Sequence, residues 1–96
     1  MFTHRVQMQL KNDSFILLSR KIEETIMPFL HNQKGFRSGV TSVAPERGTA
    51  TEDTHWNTKE DADAYERTGY LEVMKSLLEV VIAPPVTSIF EAAEPA

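Results

Sequence analysis

The 96 residues suffice for one domain, and a domain of this size buries about two-thirds of the surface its unfolded chain exposes, so its core is modest. Fourteen acidic against ten basic residues give a net charge of −4, and with no local Lys/Arg cluster this makes nucleic acid a poor partner. There is no cysteine, which excludes disulfides and thiolate chemistry and fits a cytoplasmic protein; no segment resembles a secretory leader, and no apolar run approaches the roughly 20 residues that span a bilayer.

Residues 2–10 alternate cleanly. Phe2, His4, Val6, Met8 and Leu10 point one way, while Thr3, Arg5, Gln7 and Gln9 point the other, which predicts a first strand. Asn12-Asp13-Ser14 then offers side-chain oxygens to cap a helix. Phe15, Leu18, Ile22, Ile26 and Phe29 recur at spacings of three and four, so a helix is expected over 14–31. Pro28 lacks an amide donor and should kink that helix or end it early. Gln33-Lys34-Gly35 turns the chain.

Alternation returns over 36–43, with Phe36 and Val40 expected on one face and Val43 on the other. Pro45 and Gly48 mark a hairpin turn into a third strand over 49–56, rich in Thr but carrying Glu52 and Asp53. Thr58 followed by Asp61 resembles a capping box and opens the second helix. That helix is expected to turn Ala62, Tyr65, Leu71, Met74, Leu78 and Val81 inward, with a break between 67 and 70 around Gly69. Pro84-Pro85 stops it, and 86–92 reads as the last strand, with 93–96 expected to fray.

The order βαββαβ implies an α+β, ferredoxin-like domain spanning 1–96: a four-stranded antiparallel sheet, order 4-1-3-2, with two helices on one face. The other face is left without cover from its own chain. Apolar residues on both faces of strands two and four (Val86 and Phe90 against Ile89) predict a homodimer packed through that open face.

The chain resembles the antibiotic-biosynthesis-monooxygenase family of dimeric α/β barrels. The resemblance runs through Pro28, Lys34-Gly35-Phe36, His55-Trp56-Asn57-Thr58-Lys59-Glu60-Asp61, Tyr65-Glu66-Arg67-Thr68-Gly69-Tyr70 and Pro85-Val86, in order over nearly the whole chain. It implies a dimer and a pocket between sheet and helices. It also implies one of several activities, since the family holds cofactor-free oxygenases of aromatic polyketides and quinols, haem-degrading enzymes and members without an assigned role. Where the oxygenases carry Asn before the Trp and Tyr after it, this chain has Glu52 and Ala62. Residues 59–82 hold no histidine to ligate haem, with Met74 and Lys75 in the relevant turn. No cofactor and no metal are expected.

One corner therefore holds the candidate residues. Trp56 either stacks on a planar ligand or anchors the strand-to-helix corner in the core. Tyr65 and Tyr70 either meet that ligand or are core rings with a wet hydroxyl. Glu52, Asp53 and His55 are candidate acid–base groups, and His4 is a candidate ligand contact because the first and third strands should be neighbours. Carboxylates on both faces of a central strand also call for partners, with Arg5, Arg37 and Arg47 available. Two functions are compatible with this corner: a cofactor-independent oxygenase acting on an aromatic or quinol-like molecule, or a non-catalytic small-molecule-binding or stress-related dimeric module.

Overall fold

In the computed structural model, residues 1–93 are described. Strands β1 (Phe2–Gln9), β2 (Phe36–Ala44), β3 (Thr49–Trp56) and β4 (Val86–Glu91) form one antiparallel sheet in the order β2-β3-β1-β4. This is the expected ferredoxin-like arrangement. The fraying expected over 93–96 falls, apart from Ala93, outside the described residues.

The first helical stretch is three pieces: α1 (Phe15–Lys21), a π-helical turn (Ile22–Ile26) and α2 (Met27–His31). Pro28 does not end the helix early. It sits in the first turn of α2, where a missing amide is tolerated, and the wide turn just before it absorbs the disruption. The Met27 N–H reaches back five residues to the Ile22 carbonyl, and Leu30 becomes fully buried while Phe29 is only half-buried. Ser14 is the N-cap residue, but its hydroxyl makes no capping bond.

The second stretch is α3 (Lys59–Arg67) and α4 (Gly69–Leu77), separated at Thr68 as the sequence predicted. The Asp61 N–H donates to Thr58 Oγ1 at 3.1 Å and caps α3. The break shifts the helical phase of every residue beyond it. Tyr70, Val73 and Leu77 face inward, whereas Leu71 and Leu78, expected in the core, are about half exposed, and Met74 is only partly buried.

β2 departs from its expected phase for a similar reason. A register shift between Phe36 and Ser38 places one extra residue on this strand. Phe36 pairs with Trp56 and Val43 with Ala50, both on the helix side, while Val40 pairs with Asp53 on the opposite side. Val43 therefore shares the face of Phe36, and Val40 does not. The expected split of β4 is observed: Val86 and Phe90 pair with Gln7 and Thr3 on the open face, and Ile89 pairs with His4 on the helix side.

The core lies between sheet and helices. Val6, Met8, Ala50 and Trp56 pack there against Leu18, Ile26, Leu30, Tyr65, Val73 and Leu77. The open face carries Val40, Val86 and Phe90 beside Arg5, Gln7 and Thr51, and no described part of the chain packs a helix on it.

Candidate functional site

The period-two geometry of strands divides the seven candidate residues into two groups. His4 and Thr54 are cross-strand partners on the helix side, as are Val6 and Glu52, and Trp56 continues that row. Tyr65 from α3 and Tyr70 from α4 cover it. Asp53 and His55 point the other way, onto the open face. His4 and His55, although on neighbouring strands, are thus separated by the sheet and cannot share a metal or a proton. Among the described residues no group of three or more His, Asp or Glu is placed to hold a metal ion.

On the open face both candidates are engaged. Arg5 forms a two-pronged ion pair with Asp53, Nε to Oδ1 and the second guanidinium nitrogen to Oδ2, each at 2.8 Å. The guanidinium also lies 4.9 Å from the centroid of the Phe90 ring. His55 Nδ1 is hydrogen-bonded to Thr3 Oγ1 at 2.8 Å.

The helix side is different. Trp56 is fully buried, donates its indole N–H to Thr54 Oγ1 at 2.9 Å, and stacks on Tyr65 with ring centroids 4.6 Å apart. Trp56 therefore anchors the strand-to-helix corner, with its ring covered by Tyr65 and Phe36. His4 is fully buried, with its ring 5.1 Å from that of Tyr65 and 5.0 Å from that of Tyr70. Its Nε2 is bonded to the carboxylate of Glu66, whose other oxygen accepts from Thr87 Oγ1 at 2.9 Å. Glu52 is buried on the same face and accepts from the Thr41 hydroxyl through Oε2. Arginine partners were expected for both carboxylates; Asp53 has one in Arg5, and Glu52 is held by a neutral hydroxyl.

That difference sets the proton affinities. Burial, only partly opposed by the Thr41 bond, pushes the Glu52 carboxyl up to about 7. Burial also raises Tyr65, with the Glu52 charge adding to the effect, and pushes the Tyr70 phenol up to about 12. Three buried polar atoms of the described residues find no hydrogen-bond partner: His4 Nδ1, Glu52 Oε1 and Tyr70 Oη. All three belong to this one layer between sheet and helices. Buried polar groups are nearly always paired, so such a cluster is where a polar ligand or water would be accommodated.

A concavity of about 260 Å³ lies outside the layer, bordered by Gln33, Lys34, Asp61, Thr68, Trp56 and Tyr65. Tyr65 thus borders both the concavity and His4.

Glu66, Thr41 and Thr54 were not singled out from the sequence. Glu66 looked like one of the many charges on a solvated helix face. One signal was available: it lies four residues after Ala62, which faces inward, and so on nearly the same side of the helix.

No protein-family model matches the chain, and no curated protein is similar to it in sequence. Solved structures do match its fold over nearly its full length. A Bordetella bronchiseptica protein described as a candidate antibiotic biosynthesis monooxygenase superposes with a TM-score of 0.79 at 12% identity, covering 97% of this chain and 97% of that one. A monooxygenase of Streptomyces coelicolor, solved with the ligand nanaomycin D, gives 0.70 at 16% identity, covering 99% of this chain and 92% of the other. The Mycobacterium tuberculosis protein Rv0793 gives 0.71 at 14% identity, covering 99% and 97%. The chain has the fold that the resemblance implied, that of antibiotic-biosynthesis-monooxygenase-like proteins. No described helix is long and apolar enough to cross a membrane.

Proposed function

We propose that this protein binds a small aromatic or quinol-like molecule against the polar layer between its sheet and helices, and oxidises it with dioxygen without a cofactor. The observation that carries this reading is the set of unpartnered buried atoms, His4 Nδ1, Glu52 Oε1 and Tyr70 Oη, beside an aromatic wall of Trp56 and Tyr65. A planar phenolic ligand supplies both the hydroxyls and the ring face that such a layer would pair with. The concavity beside Tyr65 is the proposed way in, so Tyr65 must swing for a ligand to reach His4 and Glu52. A similar fold holding nanaomycin D in Streptomyces coelicolor is consistent with a ligand of this class.

Glu52 is the proposed base. A carboxyl that titrates near neutrality takes a proton far more readily than an ordinary one and is still partly ionised at working pH. It would remove a proton from an acidic ring methylene, leaving a carbanion delocalised into the aromatic system. That carbanion reduces dioxygen and forms the new C–O bond, and the hydroperoxide loses water. A methylene plus dioxygen becomes a carbonyl plus water, with the substrate as the sole electron donor. Oxygen uptake with a panel of anthrones and hydroquinols tests this. Turnover in the wild type and a loss of about 100-fold or more in Glu52→Gln are expected; no uptake with any member sinks the oxygenase reading.

One observation favours the alternative of a binding module without turnover. The Trp56 N–H is consumed within the protein by Thr54, so it is not free to orient a substrate. Saturable binding, seen as a thermal shift without oxygen uptake, would support that alternative.

The open face is the proposed dimer interface. Val40, Val86 and Phe90 expose apolar surface there, and an exposed apolar sheet face is most simply covered by a two-fold copy of itself.

A further inference from the structure

Glu66 was absent from the sequence-derived site, yet it is the partner of the one fully buried histidine. His4 Nε2 meets the Glu66 carboxylate, and Glu66 is in turn fixed by Thr87 from β4. A carboxylate accepts only, so the imidazole must present Nε2–H to it. In neutral imidazole the second nitrogen then carries the lone pair. That atom, Nδ1, is buried and has no partner, in a ring flanked by Tyr65 and Tyr70. The other groups around it are Thr54 opposite on β3, Ile89 opposite on β4, and Glu52 further along the same face. The charged pair Arg5–Asp53 lies behind the sheet.

We infer that His4 is a specificity-determining residue that accepts a hydroxyl hydrogen from the ligand through Nδ1, with Glu66 as the positioning residue that fixes its tautomer. The inference rests on the proposed binding reading and sharpens it: the ligand class is a phenol with a free hydroxyl, and its ethers are rejected. An acceptor buried without a partner discriminates strongly, because an analogue lacking the donor leaves it desolvated and unpaired. Thr87 ties the tautomer to the seating of β4 against α3.

The test uses the full chain and two probes, a naphthol and its methyl ether. Titration calorimetry on the wild type should show the ether binding about 10-fold or more weakly, the loss expected for one hydrogen bond to a buried acceptor. In Glu66→Gln the amide can donate to Nε2 and release the tautomer, so the ratio should fall to within about threefold. Thr87→Val should give an intermediate ratio. Nitrogen NMR of the wild type, which needs no variant, should show His4 Nδ1 unprotonated. A proton on Nδ1, or equal binding of the two probes, overturns the inference while leaving the binding reading in place. Failure of both probes to bind overturns the two together.

Discussion

The ring of Tyr65 stacks on the indole of Trp56, centroids 4.6 Å apart with planes 28° from parallel, and its edge meets His4 at 5.1 Å. One phenol therefore joins the aromatic corner to the polar layer. Truncating its partner should cost both. Trp56→Ala is expected to lose about 3–5 kcal/mol of stability, because it removes a fully buried ring and leaves a cavity that the sheet corner cannot collapse. Chemical denaturation measures the loss. Trp56 is also the only tryptophan, so its fluorescence reports on this corner alone. A phenolic ligand that displaces Tyr65 should change that emission in a saturable way, and Tyr65→Phe should leave the response in place.

Glu52 predicts a pH dependence of unusual sign. Its folded-state affinity for a proton is raised from the ordinary 4.5 to about 7, chiefly by burial. Between those values the folded chain binds more protons than the unfolded one. The contribution to stability is therefore fully present below about 4.5 and is lost as the pH rises through about 7. Its full size is about 3 kcal/mol at 1.36 kcal/mol per unit. Glu52→Gln should abolish this slope and be the more stable protein above neutrality. Urea denaturation of both proteins across the acid-to-neutral range decides it, and parallel curves would exclude Glu52 as the group responsible.

Much of this was legible in the sequence. Alternation and helical spacing suffice for element order, and strand neighbours then follow from handedness. Placement of Glu52 and Asp53 on opposite faces came from period two alone. Of the places where the period slips, the break at Thr68 was legible from Gly69 and a disruption near Pro28 from its missing amide, but the bulge in β2 was not. The extra residue at Arg37 in β2, the π turn before Pro28 and the break at Thr68 each shift the phase of the residues behind them, and Val40, Leu71 and Leu78 were misplaced for that reason. The bulge arises from tertiary packing and leaves no mark on a periodic pattern, and Gly69 and Pro28 mark a break without telling how far it turns the residues behind it. The pairing of His4 with Glu66 joins residues 62 positions apart, and so no local pattern reports it.

Gly69 tests the packing that fixes Tyr65. On propensity, Gly69→Ala within α4 should gain up to about 1 kcal/mol. A Cβ there would lie 2.7 Å from Gln33 Oε1 and 2.9 Å from Tyr65 Cδ1. The Gln33 amide is the end of a flexible chain and can move aside. The Tyr65 ring stacks on Trp56 and meets His4, so moving it loses both contacts, a loss that a bound ligand would offset and an added Cβ would not. Overpacking of this kind costs about 1–3 kcal/mol, so the net effect should be destabilising. A thermal melt with Tm above the wild type would show that the Tyr65 stack yields more easily than its contacts imply.

The open face gives a prediction about assembly. Phe90 packs its ring against the Arg5 guanidinium, and Arg5 is fixed by Asp53, so this patch is ordered before any partner arrives. Val40 lies on the same face across β3 from that pair, and Val86 at the far end of β4, both more than half exposed. A charge at Val40 would be carried into the proposed interface and buried there without a partner. Burying an unpaired charge costs several kcal/mol, whereas the same charge on a solvated monomer face costs almost nothing. Val40→Lys should therefore convert a dimer to a monomer at micromolar concentration while leaving the circular dichroism of the fold unchanged. Light scattering on both proteins reads the outcome. A wild type already monomeric at that concentration would remove the dimer, and with it the reason for apolar residues on this face.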